Sequence, residues 1–234
     1  MPEAIILAGG FGTRLQKVLG NIPKSMAPVA GRPFLEYLLD YLILHGINKF
    51  VLSVGYRSEF ISEHFGSEYR GVEIVYAIEE EPLGTGGAIN LALGKCHDDH
   101  VLALNGDTLF LADLKDFYSK HLSYNPRISI ALREVEDISR YGSVRINNDF
   151  ILTAFGEKSA QRIEGLINAG IYCINREWFM ANTLRGAFSI EKDCFGQWYK
   201  QGLIAGFPYN AYFLDIGIPE DYQRAQHEFE KLTY

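Results

Sequence analysis

Cysteine is scarce in this 234-residue chain: Cys96, Cys173 and Cys194 are the only three, widely spaced and with no histidine cluster beside them. An odd, scattered set excludes a disulfide framework and a cysteine-ligated zinc site, so a reducing cytoplasm is the expected setting. Runs of like charge are missing as well. Twenty-nine acidic residues against 22 basic ones give a net charge of −7. With no basic stretch to follow a phosphodiester backbone, nucleic acid is not an expected partner. No apolar run is long enough to cross a bilayer, and Met1-Pro2-Glu3 leads into a short apolar segment without the basic leader of a secretory signal. Membrane is therefore not an expected partner either. Internal repeats, low-complexity tracts and flexible linkers are lacking, and one domain over residues 1–234 is expected.

What the chain does have is apolar content, 47% of its residues, which at this length can bury a substantial core. Apolar runs bounded by glycine and polar residues predict strands over 4–7, 49–54, 72–76, 100–104 and 128–132. Between them, Phe34, Leu35, Leu38, Leu39, Leu42 and Ile43 recur at helical spacing, as do the apolar positions of 88–93 and 114–121. This alternation predicts an α/β fold, a Rossmann-like and mostly parallel twisted sheet flanked by helices. Beyond about residue 135 the alternation gives way to shorter strands over 141–146, 150–155 and 168–174, a β extension that builds a second pocket wall. Helical patterns return over 177–184, 194–201 and 220–231.

Ligands in such sheets sit outside the carboxyl ends of the strands. Leu7-Ala8-Gly9-Gly10-Phe11-Gly12-Thr13-Arg14-Leu15 ends the first strand, and Pro23-Lys24 follows. Glycines let main-chain N–H groups converge on an anion, and an arginine and a lysine would neutralise a polyphosphate held there. The dinucleotide fingerprint would need glycine where Leu15 stands, and the Walker loop a glycine where Pro23 stands. Taken alone, the turn could equally be a tight strand-to-loop connection. Two further strands deliver a carboxylate near a glycine: Asn105-Gly106-Asp107 and Leu214-Asp215-Ile216-Gly217. Each aspartate singly reads as a cap or turn residue, but together they could hold Mg²⁺, which takes few carboxylates and fills its remaining positions with phosphate oxygens and water. Glu79-Glu80-Glu81-Pro82-Leu83-Gly84-Thr85-Gly86-Gly87 is a second glycine-rich turn, where a flat ring could lie against the main chain while a side chain reads its edge. Its bland reading is an acidic surface loop. Glu157-Lys158 and Asn168-Ala169-Gly170 bring a carboxylate, an ammonium and an amide, a set suited to hydroxyls and a phosphate.

In this order the motifs resemble those of the sugar-1-phosphate nucleotidylyltransferases, nearly end to end. Within that family the chain is most similar to the D-glycero-D-manno-heptose 1-phosphate guanylyltransferases. That likeness rests on Pro23-Lys24-Ser25-Met26-Ala27-Pro28-Val29, on Asn168-Ala169-Gly170-Ile171-Tyr172 and on Ser189-Ile190-Glu191-Lys192-Asp193. The resemblance implies transfer of a nucleoside monophosphate from a triphosphate to a sugar 1-phosphate, with loss of pyrophosphate, giving a nucleotide sugar for cell-surface polysaccharide synthesis. It implies Mg²⁺ on Asp107 and Asp215, with Arg14 and Lys24 catalytic. Leu7, Ala8, Gly9, Gly10, Gly12, Thr13, Arg14, Glu79, Gly84 and Thr85 would bind the nucleotide. Asn105, Gly142, Glu157, Lys158 and Asn168 would bind the sugar phosphate, with Tyr141 adding backbone contacts. Residues 1–135 then form mainly the nucleotide half and 136–234 the sugar half.

Glu79 stands where relatives using thymidine or uridine triphosphates resemble one another in carrying glutamine. A carboxylate only accepts hydrogen bonds, and guanine offers adjacent N1–H and N2 donors, so GTP is the best-matched nucleotide, with cytosine left open. One departure is Gln16-Lys17-Val18-Leu19, where many hexose-specific members carry a different loop. A glycosyltransferase would need a second aspartate where Leu109 stands. A binding-only paralogue would be expected to have lost one of Arg14, Lys24, Asp107 or Asp215.

Overall fold

The computed structural model describes all residues except 11–14, 16–18, 141 and 157–162. Its ten-stranded sheet has a parallel centre. Strand β1 (Ala4–Leu7) lies between β2 (Lys49–Val54) and β4 (His100–Asn105), and β3 (Val72–Ile78) pairs with β2. The register aligns Leu7 with Ser53 and with Asn105, and Val54 with Ile78. The carboxyl ends of four strands therefore share one edge, and the segments following them face the same side.

Side chains alternate across this sheet, and each face is covered. Ala4 and Ile6 of β1 enter one core with Phe34, Leu38, Phe50 and Leu52, whereas Ile5 enters another with Val51, Ile89 and Ala103. Burial on both faces explains why the central strands read as unbroken apolar runs. Helix α1 (Phe34–Leu44) supplies the first core, and α3 (Gly84–Leu93) the second. Helix α2 (Ser58–Phe65) follows β2 and buries only Ile61 and Phe65; the sequence pattern does not predict it. The aspartate cap of α4 (Leu114–Tyr124) is explicit: one Asp113 oxygen accepts the N–H groups of Lys115 and Asp116, each at 3.0 Å.

The later half extends the same sheet, mostly by antiparallel pairing. Strand β6 (Ile128–Val135) and β4 flank β9 (Gly165–Asn175), which runs antiparallel to both. The hairpin of β7 (Ser143–Ile146) and β8 (Leu152–Gly156) joins through β7, and β10 (Ile204–Pro208) pairs with β6. The start of β9 projects beyond the end of β4, because Ile171 pairs with Leu104 while Gly165 reaches Val135. The sequence pattern anticipates the added strands, and this projection carries Asn168 and Gly170 past the end of β4. Apart from the main sheet, β5 (Thr108–Phe110) pairs with β11 (Phe213–Asp215), and α5 (Pro219–Phe229) follows. Among the described residues no helix is long and apolar enough to cross a membrane.

Candidate active site

A cavity of about 510 Å³ opens at the aligned strand ends, with Leu7, Gly9 and Gly10 at one end and Asn105 and Asp107 beside them. The two glycines after β1 serve different purposes. A Cβ on Gly9 would stand 2.7 Å from Glu79 Oε1 and 3.1 Å from the Gly55 nitrogen, so any other residue would have to displace the Glu79 carboxylate; a Cβ on Gly10 would meet nothing within 4 Å. Gly106 is required by packing, since its Cβ would lie 2.6 Å from the Leu7 carbonyl oxygen. Gly9 and Gly10 thus follow β1 at the carboxyl edge of the sheet. Gly12, Thr13 and Arg14 lie outside the described residues, as do Glu157, Lys158 and Tyr141.

Lys24 opens a short 3₁₀ turn after Pro23, and its side chain is 15% exposed. Its Nζ donates to Asp107 Oδ2 at 2.5 Å and lies 3.7 Å from Asp215 Oδ1. The two aspartates come together through the β5–β11 ladder, which pairs Asp215 with Thr108, and through the Ile216 N–H donating to the Asp107 carbonyl at 3.0 Å. Asp107 Oδ1 also accepts the Thr108 hydroxyl at 3.2 Å, and Asp215 Oδ1 accepts the Gly217 N–H at 2.7 Å. Burial raises the Asp215 carboxyl above the ordinary carboxylate range, the Asp107 charge raises it further, and Lys24 opposes both. The convergence of the two aspartates is what the sequence predicts; the ammonium of Lys24 between them is not. No cluster of three or more histidine, cysteine, aspartate or glutamate side chains suited to a metal exists among the described residues. The donor set fits a hard cation that takes one or two carboxylates plus substrate phosphates, and does not fit an all-protein cage. A second, more polar opening of about 460 Å³ reaches Asp215 from the Arg133–Glu136 side.

Glu79, Glu80, Glu81 and Pro82 also line the cavity, together with Tyr56. Glu79 is held on two sides: Oε2 accepts the Leu83 N–H at 3.0 Å and Oε1 accepts the Ser53 hydroxyl at 3.2 Å. Gly84 and Thr85 line the wall, but the glycines after them do not offer a bare surface for a flat ring. A Cβ on Gly86 would lie 2.1 Å from the Phe188 ring, and one on Gly87 2.5 Å from the Gly186 carbonyl. These glycines admit the 186–190 segment instead, which corrects the expectation drawn from the sequence. Hydrogen bonds secure that packing: Gly86 N–H donates to the Phe188 carbonyl at 3.0 Å, and Ile190 N–H to Thr85 Oγ1 at 3.2 Å.

Past Ile190 the backbone forms a π-helical stretch, Ile190–Phe195, that carries Glu191. Glu191 Oε1 accepts from Asn168 Nδ2 at 2.6 Å, and the same amide donates to the Tyr172 hydroxyl at 2.8 Å. Asn168 Oδ1 accepts the Gly170 N–H at 3.0 Å. Gly142 contributes through its main chain, its carbonyl accepting the Asn168 N–H at 3.3 Å. Gly170, at φ 75°, comes so close to Asn105 that a Cβ would sit 2.5 Å from Asn105 Nδ2. Asn105, Gly142 and Asn168 are therefore linked around the junction of β4 and β9. Glu191, Tyr56 and Ser53 are additions that motif reading passed over; only the Ser189-Ile190-Glu191 phrase pointed near any of them.

The chain is 45% identical over 228 residues to D-glycero-alpha-D-manno-heptose 1-phosphate guanylyltransferase of Aneurinibacillus thermoaerophilus, covering 97% of this chain and 98% of that protein. The protein of the same name from Campylobacter jejuni is 42% identical over 220 residues, 94% of this chain and 96% of its own. The crystal structure of HddC from Yersinia pseudotuberculosis, solved also in complex with GMP-PN, matches with a TM-score of 0.88 at 37% identity, covering 98% of this chain and 100% of that one. A family model described as nucleotidyl transferase matches residues 3–231, a span that contains every strand and helix named above, and the chain belongs to that family.

Proposed function

We propose that this protein transfers a guanylyl group from GTP to D-glycero-α-D-manno-heptose 1-phosphate, yielding GDP-heptose and pyrophosphate. The reading is supported by one observation above the others: the glycine turn, Lys24 and the Asp107–Asp215 pair converge at the carboxyl edge of the sheet. The substrate class follows the heptose 1-phosphate guanylyltransferases that match over nearly the whole chain, and the complex of HddC with GMP-PN agrees with a guanine nucleotide.

In the proposed reaction a phosphate oxygen of the sugar 1-phosphate attacks the α-phosphorus of GTP. One P–O bond forms, the bond to the β-phosphate bridge breaks, and pyrophosphate leaves. The attacking group is already an anion, so no general base is needed, and catalysis reduces to alignment and charge stabilisation. Leu7, Ala8, Gly9 and Gly10 border the triphosphate, with Gly12, Thr13 and Arg14 completing that turn by resemblance. Lys24 neutralises the α-phosphate and the departing pyrophosphate. Asp107 and Asp215 would hold Mg²⁺, which supplies charge neutralisation between the two anionic reactants. Glu79 accepts hydrogen bonds from guanine, and Gly84 and Thr85 form the wall beside it. Asn105, Gly142 and Asn168, with Glu157 and Lys158 by resemblance, hold the sugar phosphate in line. Residues 1–135 and 136–234 act in this scheme as two halves of one domain, and the work is done in the cytoplasm.

Pyrophosphate release with GTP and Mg²⁺, measured across heptose, mannose and glucose 1-phosphates, tests the reading. The heptose should give the highest kcat/KM. Absence of release with every sugar would overturn the enzymatic assignment, and preference for mannose 1-phosphate would overturn the heptose.

A further inference from the structure

The ammonium of Lys24 and a divalent cation would claim the same carboxylate oxygen. Lys24 Nζ sits 2.5 Å from Asp107 Oδ2 and 3.7 Å from Asp215 Oδ1, between the two groups that the reading above assigns to Mg²⁺. The other Asp107 oxygen is engaged by the Thr108 hydroxyl, and Asp215 Oδ1 by the Gly217 N–H. Mg²⁺ binds carboxylate oxygens at about 2.0–2.1 Å. A dication at that range from Asp107 Oδ2 would stand beside an ammonium only 2.5 Å from the same atom, and like charges repel strongly at such separations in a half-buried site. A Cβ on Gly217 would lie 3.2 Å from Nζ, so the main chain also closes around the lysine on the Asp215 side.

We infer that Lys24 is a built-in competitor of the divalent cation, released from Asp107 only when phosphate oxygens offer its ammonium another anionic partner. The inference rests on the metal reading of Asp107 and Asp215. Two consequences follow. The aspartate pair is half neutralised by the chain itself and binds a cation weakly on its own. Nucleotide and cation then bind with positive coupling, because the triphosphate draws Lys24 away from the oxygen that the cation needs, and the same movement delivers the lysine to the reacting phosphates. By linkage the coupling is reciprocal, so each ligand tightens the other by the same factor.

The test uses Mn²⁺ as an oxygen-seeking probe of the site, its free fraction read by electron paramagnetic resonance, with protein in the absence and presence of GTP and no sugar phosphate. Lys24→Met removes the charge and keeps an unbranched stem; Lys24→Gln removes the charge and keeps a donor. Circular dichroism identifies the variants that fold. Without GTP, Lys24→Met should bind Mn²⁺ on the order of tenfold tighter than the wild type, within the usual range of coupling between sites. Lys24→Gln should fall between them. GTP should tighten Mn²⁺ binding strongly in the wild type and far less in Lys24→Met. Equal Mn²⁺ affinity in wild type and Lys24→Met, or equal enhancement by GTP, overturns the inference. Asp107→Asn separates this from the underlying reading. If it weakens Mn²⁺ binding with GTP present while Lys24→Met behaves as wild type, the lysine competition alone is wrong; if it leaves Mn²⁺ binding unchanged, the metal assignment itself falls.

Discussion

Glu79 touches both the glycine-rich turn before α3 and the end of β2, through Leu83 and Ser53, so two substitutions separate its proposed roles. Glutamine can still accept the Leu83 N–H and can donate to the Ser53 hydroxyl, leaving the turn clamped while removing the charge offered to guanine. Glu79→Gln should lower the ratio of kcat/KM for GTP over UTP by about tenfold or more, the worth of one charged hydrogen bond of ~1.5 kcal/mol. Glu79→Ala should instead raise KM for every nucleotide, because the Leu83 N–H loses its partner. An unchanged GTP preference in Glu79→Gln would reduce Glu79 to a clamp. For Lys24 the corresponding measurement is turnover. Lys24→Ala should reduce kcat on the order of 10²–10³-fold, as loss of one charge-stabilising donor does elsewhere, with a much smaller effect on GTP affinity. Equal losses in both would make Lys24 a binding residue only. The placement of Gly9, Gly10, Asp107 and Asp215 was legible in the sequence because glycine and aspartate stand at or just past strand ends. The clamp on Glu79 was not, since nothing in its own segment signals a bond to Ser53.

The entry to α3 shows what the pattern of an element conceals. Apolar periodicity over 88–93 predicts the helix from its fifth residue onward, yet it begins at Gly84, at φ 66°, because Phe188 and Gly186 pack where side chains would otherwise stand. Gly86→Ala should therefore force Phe188 out and destabilise the protein by about 1–3 kcal/mol in urea titration, the usual cost of overpacking. The double variant with Phe188→Ala should gain nothing further from that clash, so the two losses should be non-additive; simple additivity would show that the glycine is tolerated for another reason. The parallel strands were readable since burial on both faces leaves continuous apolar runs, and the meeting of Asp107 with Asp215 was anticipated from paired strand ends. Helix α2 escaped notice because two buried residues make no stripe and its entry passes through Arg57 at φ 58°. The π-helical stretch at 190–195 escaped for a different reason: an α-like composition carries no mark of the wider turn.

Across the whole molecule, stability has an acid-sensitive element remote from the cavity. His121, fully buried, exchanges hydrogen bonds of 2.8 Å with His100 and with Ser129. Burial, then the neighbouring His100, lowers its pKa to about 3, so the folded protein keeps it neutral. The unfolded chain takes up a proton below about 6.5, the ordinary histidine value, while the folded one does not. Stability is therefore complete above that value and declines as pH falls from it toward 3. His121→Asn should have a lower Tm at pH 7 but a shallower fall between pH 7 and pH 5; parallel falls in both proteins would assign the acid sensitivity elsewhere. The scarce cysteines carry a consequence of another kind. Cys96, Cys173 and Cys194 are all buried, and burial pushes the first thiol up to about 12 and the last to about 11. Since only an accessible thiolate attacks a disulfide reagent, each labels no faster than its surroundings open. They sit just past α3, within β9 and in the π-helical stretch. The chain thus carries three native stopwatches, timing separately how often the end of α3, the central sheet and the Glu191 segment come apart.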